Sequence, residues 1–320
     1  MSYPAPTCHE LRRDSGARGR VLVVGDIHGE YDMFMRLLKH ARYNDMWDTV
    51  YSLGDVIDRG PESLRTLEWF AGRRRAYMLM GNHEAMMMQA DEDYQIGSVW
   101  LHNGGGWAHS LGARELYLYR CMLRALPLTA EIDYDTGAYL VGLVHADVPS
   151  GLAWKRMKRA QTQTLDAIDD WRDTASVQAI WGRRRFKADL IMRRIARDQI
   201  TPEVKVRVWQ HVQPVRGVDL LVCGHTVLDD FVPRGRANVL WIETGAAYGG
   251  RLTAVDPVRK VYWQVGHTEG EVWGPLPLPA LDPVSRAYRP TRVDIEAAAA
   301  ADAQRRGRLG PLHDIWGSRP

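Results

Sequence analysis

Gly25-Asp26-Ile27-His28-Gly29, Gly54-Asp55-Val56-Ile57-Asp58-Arg59-Gly60 and Gly81-Asn82-His83-Glu84 carry carboxylate, imidazole, carboxamide and guanidinium groups framed by glycine. Metal-activated attack on a phosphate ester needs this inventory: hard oxygen and imidazole ligands, a bridging carboxylate, and cations for the non-bridging oxygens. Asp26 and His28 stand two apart in a tight loop, so both can point at one ion. Asp55 is a single carboxylate placed to bridge two ions, and Asn82 with His145 and His225 completes a second site. Taken singly, an Asp before a turn is more often a cap or turn former, and a lone His more often a structural residue. Five successive strand ends that each present ligand-type side chains beside glycine outweigh those single readings.

The elements that must position these groups are legible in the apolar pattern. Val21-Leu22-Val23-Val24 reads as a strand buried on both faces, and Phe34, Leu37, Leu38 and Ala41 then recur at helical spacing. Asp48 to Leu53 is a second strand, a helix follows from Pro61 through Leu64, Leu67 and Phe70, and Ala76 to Met80 is a third strand. This β-α-β-α-β order implies parallel strands with right-handed crossovers, so the three glycine-framed phrases share one edge of a sheet. Open α/β sheets bind ligands at that edge. Met86 to Ala130 reads as mainly helical, Tyr139 to Val144 as a strand ending at His145, and Gln161 to Gln199 as helix-rich. Val218 to Cys223 is a strand ending at Gly224-His225; segments 239–243, 251–256 and 260–265 then read as an antiparallel ladder.

Composition narrows the class. A net charge of +3 is too small to argue for nucleic acid or a membrane surface as the main partner. Cys8, Cys121 and Cys223 are odd in number and scattered, which argues against a disulfide framework and suits a reducing cytosol. No apolar run approaches the ~20 residues that span a bilayer. The N-terminus lacks the apolar stretch of a secretory signal, so a cytoplasmic protein is expected.

The three phrases are joined by Trp100-Leu101-His102-Asn103-Gly104-Gly105-Gly106-Trp107, His145-Ala146-Asp147-Val148-Pro149, Ile180-Trp181-Gly182-Arg183, Gly224-His225 and the segment Trp241 to Gly250. Together they resemble the signature set of the phosphoprotein phosphatase family of calcineurin-like metallophosphoesterases. Within it, the resemblance is to the bacterial and bacteriophage-lambda type of serine/threonine protein phosphatase, and it runs from Val21 to Val265. It implies an α/β fold, the calcineurin-like metallophosphoesterase sandwich: mixed β-sheets flanked by helices, with the metal site at the C-terminal strand ends. The expected organisation is a polar tail over 1–19, a catalytic domain over 20–265 with a helical insertion at about 186–215, and a Pro/Ala/Arg-rich extension over 266–320.

By the same resemblance Asp26 and His28 bind the first metal, Asp55 bridges, and Asn82, His145 and His225 bind the second. The two divalent ions are expected to be manganese, with iron or zinc as alternatives. Arg59 and Arg183 are expected to hold the phosphate, Arg183 being picked over Arg184 and Arg185 by the Trp181-Gly182-Arg183 pattern. His83 is expected to be the general acid, oriented by Asp58, which assists the poor serine or threonine leaving group. Guanidinium groups match phosphoryl oxygens in a bidentate way that lysine cannot. The implied reaction is direct attack of a metal-bridging hydroxide on phosphoserine or phosphothreonine, and on phosphotyrosine as a further substrate, in a phosphorylated protein or peptide. One rival is a symmetrical diadenosine tetraphosphate hydrolase, against which Asp58 argues because that branch generally lacks the acidic residue before the Arg. Another, of a different class, is a non-catalytic phosphoprotein-binding pseudophosphatase, against which the complete ligand set argues. Asn103 to Gly106 reads either as a substrate-side loop or as a structural turn.

Overall fold

The computed structural model describes residues 8–160 and 175–308, so residues 161–174 of the expected helix-rich stretch, and the tips of both terminal segments, lie outside it. In chain order the strands are β1 (His9–Arg13), β2 (Val21–Val24), β3 (Thr49–Ser52), β4 (Ala76–Met78), β5 (Thr129–Tyr134), β6 (Tyr139–Val144) and β7 (Leu220–Cys223). They continue as β8 (Arg234–Arg236), β9 (Val239–Trp241), β10 (Leu252–Asp256), β11 (Val261–Val265) and β12 (Val272–Pro277). Between them run α1 (Tyr31–His40), α2 (Ser63–Ala71), α3 (Asn82–Gln89), α4 (Tyr94–His102), α5 (Ala113–Arg124), α6 (Trp154–Ala160) and α7 (Ala175–Trp181). No described helix is long and apolar enough to cross a membrane.

Two compact units emerge, the first comprising residues up to Arg183 together with Pro214–Asp282. It contains two mixed sheets, ordered β1-β5-β6-β7-β9-β8 and β12-β11-β10-β2-β3-β4. Strands β2, β3 and β4 pair in parallel, as the β-α-β-α-β pattern requires. The inner faces of the sheets meet in one core: Val21, Val23, Tyr51 and Leu53 from one, Ile132, Val141, Leu143 and Val222 from the other. On the opposite face of the β2–β4 sheet, Phe34 of α1 packs edge-on to Trp69 of α2 at 4.7 Å and stacks on Phe70 at 5.5 Å. Burying an aromatic or aliphatic side chain of this size is worth about 1.5–3 kcal/mol. That gain explains why β2 is apolar at every position rather than at alternate ones; β3 is likewise buried throughout, though Thr49 and Ser52 at its ends are polar.

The structure departs from the sequence reading in several places. His9–Arg13, expected in the polar tail, forms β1 and pairs in parallel with β5. The run His-Glu-Leu-Arg-Arg is too charged to read as a strand, but an edge strand needs only one inward row, here His9, Leu11 and Arg13. β5 begins at the last two residues of the stretch expected to be helical and runs on through residues for which no element was expected. β9 does not join the antiparallel ladder of β10 and β11; it crosses to the other sheet and pairs in parallel with β7. Within the expected C-terminal extension, β12 pairs with β11 and extends the sheet that holds β2, β3 and β4.

The second unit is built from Arg184–Gln213 and the chain after Asp282. It contains α8 (Arg184–Arg194), α9 (Pro202–Val212) and α10 (Arg292–Arg308). The expected insertion and the end of the expected extension thus belong together rather than forming two separate additions. Ala188, Val208 and Val212 need apolar cover, and Tyr288 with Val284 supplies it; Lys205 Nζ adds an ion pair to Asp294 Oδ1 at 3.0 Å.

Candidate metal centre

Each predicted ligand stands where a strand ends. Asp26 and His28 follow β2, Asp55 follows β3, Asn82 and His83 open α3 after β4, and His145 and His225 follow β6 and β7. The first two loops are laced together through their backbones. Ile27 and His28 N–H groups donate to the Asp55 carbonyl at 3.1 and 2.8 Å, and Gly29 N–H to that of Val56 at 2.8 Å. His28 (φ 48°), Asp55 (48°), Asp58 (71°), Arg59 (69°) and His225 (65°) all occupy the left-handed region. That conformation costs a non-glycine residue on the order of 1–3 kcal/mol, and it persists where surrounding bonds over-determine it. All five stand in the strand-end loops that carry the candidate ligands.

The donor atoms converge on Asp55 Oδ2, which lies 3.7 Å from His28 Nε2, 3.9 Å from His83 Nε2 and 3.5 Å from His145 Nε2. His28/Asp55/His83 and Asp55/His145/His225 form two buried groups that share this carboxylate, each compact enough to surround an ion. His145 Nε2 is 3.0 Å from Asn82 Oδ1 and 3.1 Å from His225 Nδ1. The far nitrogens are anchored: His28 Nδ1 donates to the Ile57 carbonyl at 3.0 Å and His145 Nδ1 to that of Leu53 at 3.1 Å. Such partners fix the tautomer and turn Nε2 inward. Asp26 stands beside this cluster rather than inside either group, its carboxylate accepting the His225 backbone N–H at 3.1 Å. At the mouth, Arg59 Nη1 reaches His28 Nε2 and Arg183 Nε lies 3.0 Å from His225 Nε2. Arg185 is turned to the Gln213 carbonyl instead.

His83 differs from the other imidazoles. Its Nδ1 is 2.7 Å from Asp58 Oδ2, while its buried Nε2 has no hydrogen-bond partner among the described residues and lies 3.9 Å from Asp55 Oδ2. Burial works against its charge, but the Asp55 carboxylate and the Asp58 hydrogen bond outweigh it and raise its pKa. Burial pushes His28 and His225 well below the usual imidazole value, which leaves them neutral. Neutral imidazole is the ligating form.

Carboxylates are crowded here. Burial, then the charges of Glu243 and Asp55, holds Asp26 well above the usual carboxylate range. Burial likewise pushes Glu243 up to about 8 and Glu84 up to about 7. Buried acids packed beside neutral imidazoles are a set that divalent cations would neutralise, so the residues present fit a metal pair. A stability effect follows. An acid whose pKa is raised on folding stabilises fully below its unfolded value and loses that contribution as pH rises through the folded value. In chelator-treated protein the Glu243 contribution is therefore expected to fall from about pH 5 to about pH 8, so the melting temperature of the unsubstituted protein should drop relative to that of Glu243→Gln across this window. Parallel melting curves for the two proteins would reject this assignment of the pH-sensitive acid.

All ten sequence-predicted residues fall in this one network: Asp26, His28, Asp55, Asp58, Arg59, Asn82, His83, His145, Arg183 and His225. The residues around them stood within the motifs quoted from the sequence, but without a role. Glu84 accepts N–H bonds from Asp55 (2.7 Å), Val56 (2.9 Å) and Gly81 (2.9 Å), tying the second loop to the start of α3. Its signal was available, since a Glu at the third position of a helix is half of a capping box. Glu243 is buried and accepts the Gly245 N–H at 2.9 Å, and the Tyr248 ring lies 5.0 Å from the Arg59 guanidinium. Trp100 and Trp107 both donate to Asp58, at 2.9 and 2.7 Å.

A profile for the family described as calcineurin-like phosphoesterase matches residues 19–229. Serine/threonine-protein phosphatase 1 of Salmonella typhimurium is 32% identical over 244 residues, covering 73% of this chain and 89% of its own. A symmetrical bis(5'-nucleosyl)-tetraphosphatase of Nitrosococcus oceani is 31% identical over 130 residues, covering 40% of this chain and 44% of its own. Among solved structures, a protein serine/threonine phosphatase from Saccharomyces cerevisiae superposes with a TM-score of 0.50 at 15% identity, covering 79% of this chain and 77% of that one. That last likeness speaks for the fold alone. With the profile spanning most of the two-sheet unit and the strand-end cluster inside it, this chain belongs to the calcineurin-like phosphoesterase family and is a hydrolase of phosphoesters.

Proposed function

We propose that the chain is a protein phosphatase that hydrolyses phosphoserine and phosphothreonine, and on the same chemistry phosphotyrosine, in protein or peptide substrates. Asp26 and His28 would hold one divalent ion, Asn82, His145 and His225 a second, with Asp55 shared; manganese suits this oxygen and imidazole set. Bound there, such ions would supply Lewis-acid charge and water of lowered pKa. Arg59 and Arg183 orient the phosphoryl group from the mouth of the cluster. As a water oxygen bonds to phosphorus and the P–O bond to the alkoxide breaks, His83 delivers the proton from Nε2 to that departing alkoxide, and Asp58 keeps the ring turned.

The observation that carries this reading is the buried Asp58–His83 pair, 2.7 Å apart, with the second imidazole nitrogen unpartnered among the described residues and 3.9 Å from Asp55 Oδ2. A serine alkoxide is a strong base, so its departure gains most from a placed proton donor. The likeness to serine/threonine phosphatases over 73% of this chain supports the same substrate class. The shorter match to dinucleotide tetraphosphatases favours a second reading, hydrolysis of diadenosine tetraphosphate. Turnover of a phosphoserine peptide and of diadenosine tetraphosphate should be compared at equal manganese. The peptide is expected to show the higher kcat/KM by at least ~10-fold; a clear preference for the dinucleotide would assign the chain to the second reading.

A further inference from the structure

The segment from Trp100 to Trp107 places two indoles and a glycine run against the Asp58-Arg59 dipeptide. Trp100, buried at the end of α4, donates Nε1–H to Asp58 Oδ2 at 2.9 Å. Trp107, in the following 3-10 turn (Gly105–Ser110), donates Nε1–H to Asp58 Oδ1 at 2.7 Å. Asp58 is fully buried, and its backbone N–H donates to Ser63 Oγ at 2.8 Å. Between the tryptophans, Gly104 lies so close to Arg59 that a Cβ would stand 2.5 Å from the Arg59 backbone nitrogen. A Cβ on Gly105 would likewise stand 2.4 Å from the Trp100 ring. The glycines are therefore what allows the segment to lie flat on both the dipeptide and its own indole.

We infer that Trp100 and Trp107 are positioning residues for the proton-donor pair, gripping both oxygens of Asp58 so that His83 is held in one ring orientation. The inference rests on the reading of His83 as general acid. An indole N–H can only donate, so both Asp58 oxygens are held as acceptors and the carboxylate cannot rotate without breaking a bond. Asp58 and Arg59 both sit at left-handed φ, and the same segment backs that backbone from outside through Gly104. The close approach of Gly104 to Arg59 and of Gly105 to Trp100 supports the reading of Asn103 to Gly106 as a structural turn.

The test is Trp100→Phe and Trp107→Phe, each of which keeps an aromatic ring and removes one N–H. Manganese-loaded full-length protein is assayed on 4-nitrophenyl phosphate, phenyl phosphate and 4-methoxyphenyl phosphate, a series of increasingly basic leaving groups. Loss of a held proton donor is expected to lower kcat by about 3-fold on the first ester and by ~30-fold or more on the last, because proton donation contributes ~10²–10⁴-fold when the leaving group is poor. KM should move less than about 2-fold. His83→Asn, run in parallel, is expected to show the same trend more steeply. Equal losses across the series, or none, in tryptophan variants whose His83→Asn control does show the trend would overturn the clamp alone. A His83→Asn variant with no leaving-group trend would remove the general-acid reading and the clamp with it. Each tryptophan reads one hydrogen bond, so a variant that fails to fold leaves the other to decide.

Discussion

Exchange of Asp55 for Asn is expected to lower kcat/KM for an aryl phosphate by at least ~10³-fold at saturating manganese, with the fold retained. Asp55 Oδ2 is the common neighbour of three imidazole nitrogens, at 3.7, 3.9 and 3.5 Å, and the carboxylate is shared by both ligand groups. An Asn keeps an oxygen for the His83 backbone N–H, which Asp55 Oδ1 accepts at 3.0 Å, so local structure has little reason to collapse. What disappears is the negative charge and one of two oxygens needed to hold two cations at once. Isothermal titration with manganese should therefore show fewer than two ions bound per chain alongside the loss of turnover. An Asp55→Asn protein that binds two ions and turns over normally would remove Asp55 from the shared position.

Arg59→Lys is the second large effect: kcat/KM should fall by roughly 10²-fold although the charge is kept. Arg59 sits at φ 69°, with its guanidinium 5.0 Å from the Tyr248 ring and Nη1 at His28 Nε2. The backbone turn and the ring together aim a planar fork across the mouth of the cluster. A lysine offers a point charge on a flexible stem and cannot engage two phosphoryl oxygens in parallel. Inorganic phosphate, as product inhibitor, should bind the variant about 10-fold more weakly. Full activity with an unchanged inhibition constant would mean that charge at the mouth is enough and the fork has no role.

Much of this site could be read from the chain because its chemistry is local. Asp26, His28, Asp55, Asp58, Arg59, Asn82 and His83 lie in three short phrases, each directly after an apolar run, and the runs fall on β2, β3 and β4 within a residue or two. Residues that act through distant partners were not legible. Glu84 was visible as a letter but not as the carboxylate that collects three backbone N–H groups, and Glu243 gave no sign that it would be buried beside Asp26. The tryptophans at 100 and 107 read as pattern, whereas their indole N–H groups meet at a carboxylate more than forty residues earlier.

The same division holds for the fold. Short-range periodicity identified β2, β3, β4, β6 and β7 and the parallel order of the first three, since side-chain alternation and crossover length are properties of contiguous sequence. It placed β9 in the wrong ladder and passed over β1 and β5, because which strand a segment pairs with depends on burial across the whole unit. On its own, then, the sequence named the candidate residues of the centre and the strand ends that carry them. Only the tertiary structure decided that His145 and His225 arrive from the second sheet. Packing the two inner faces into one core brings both sets of C-terminal strand ends together around Asp55.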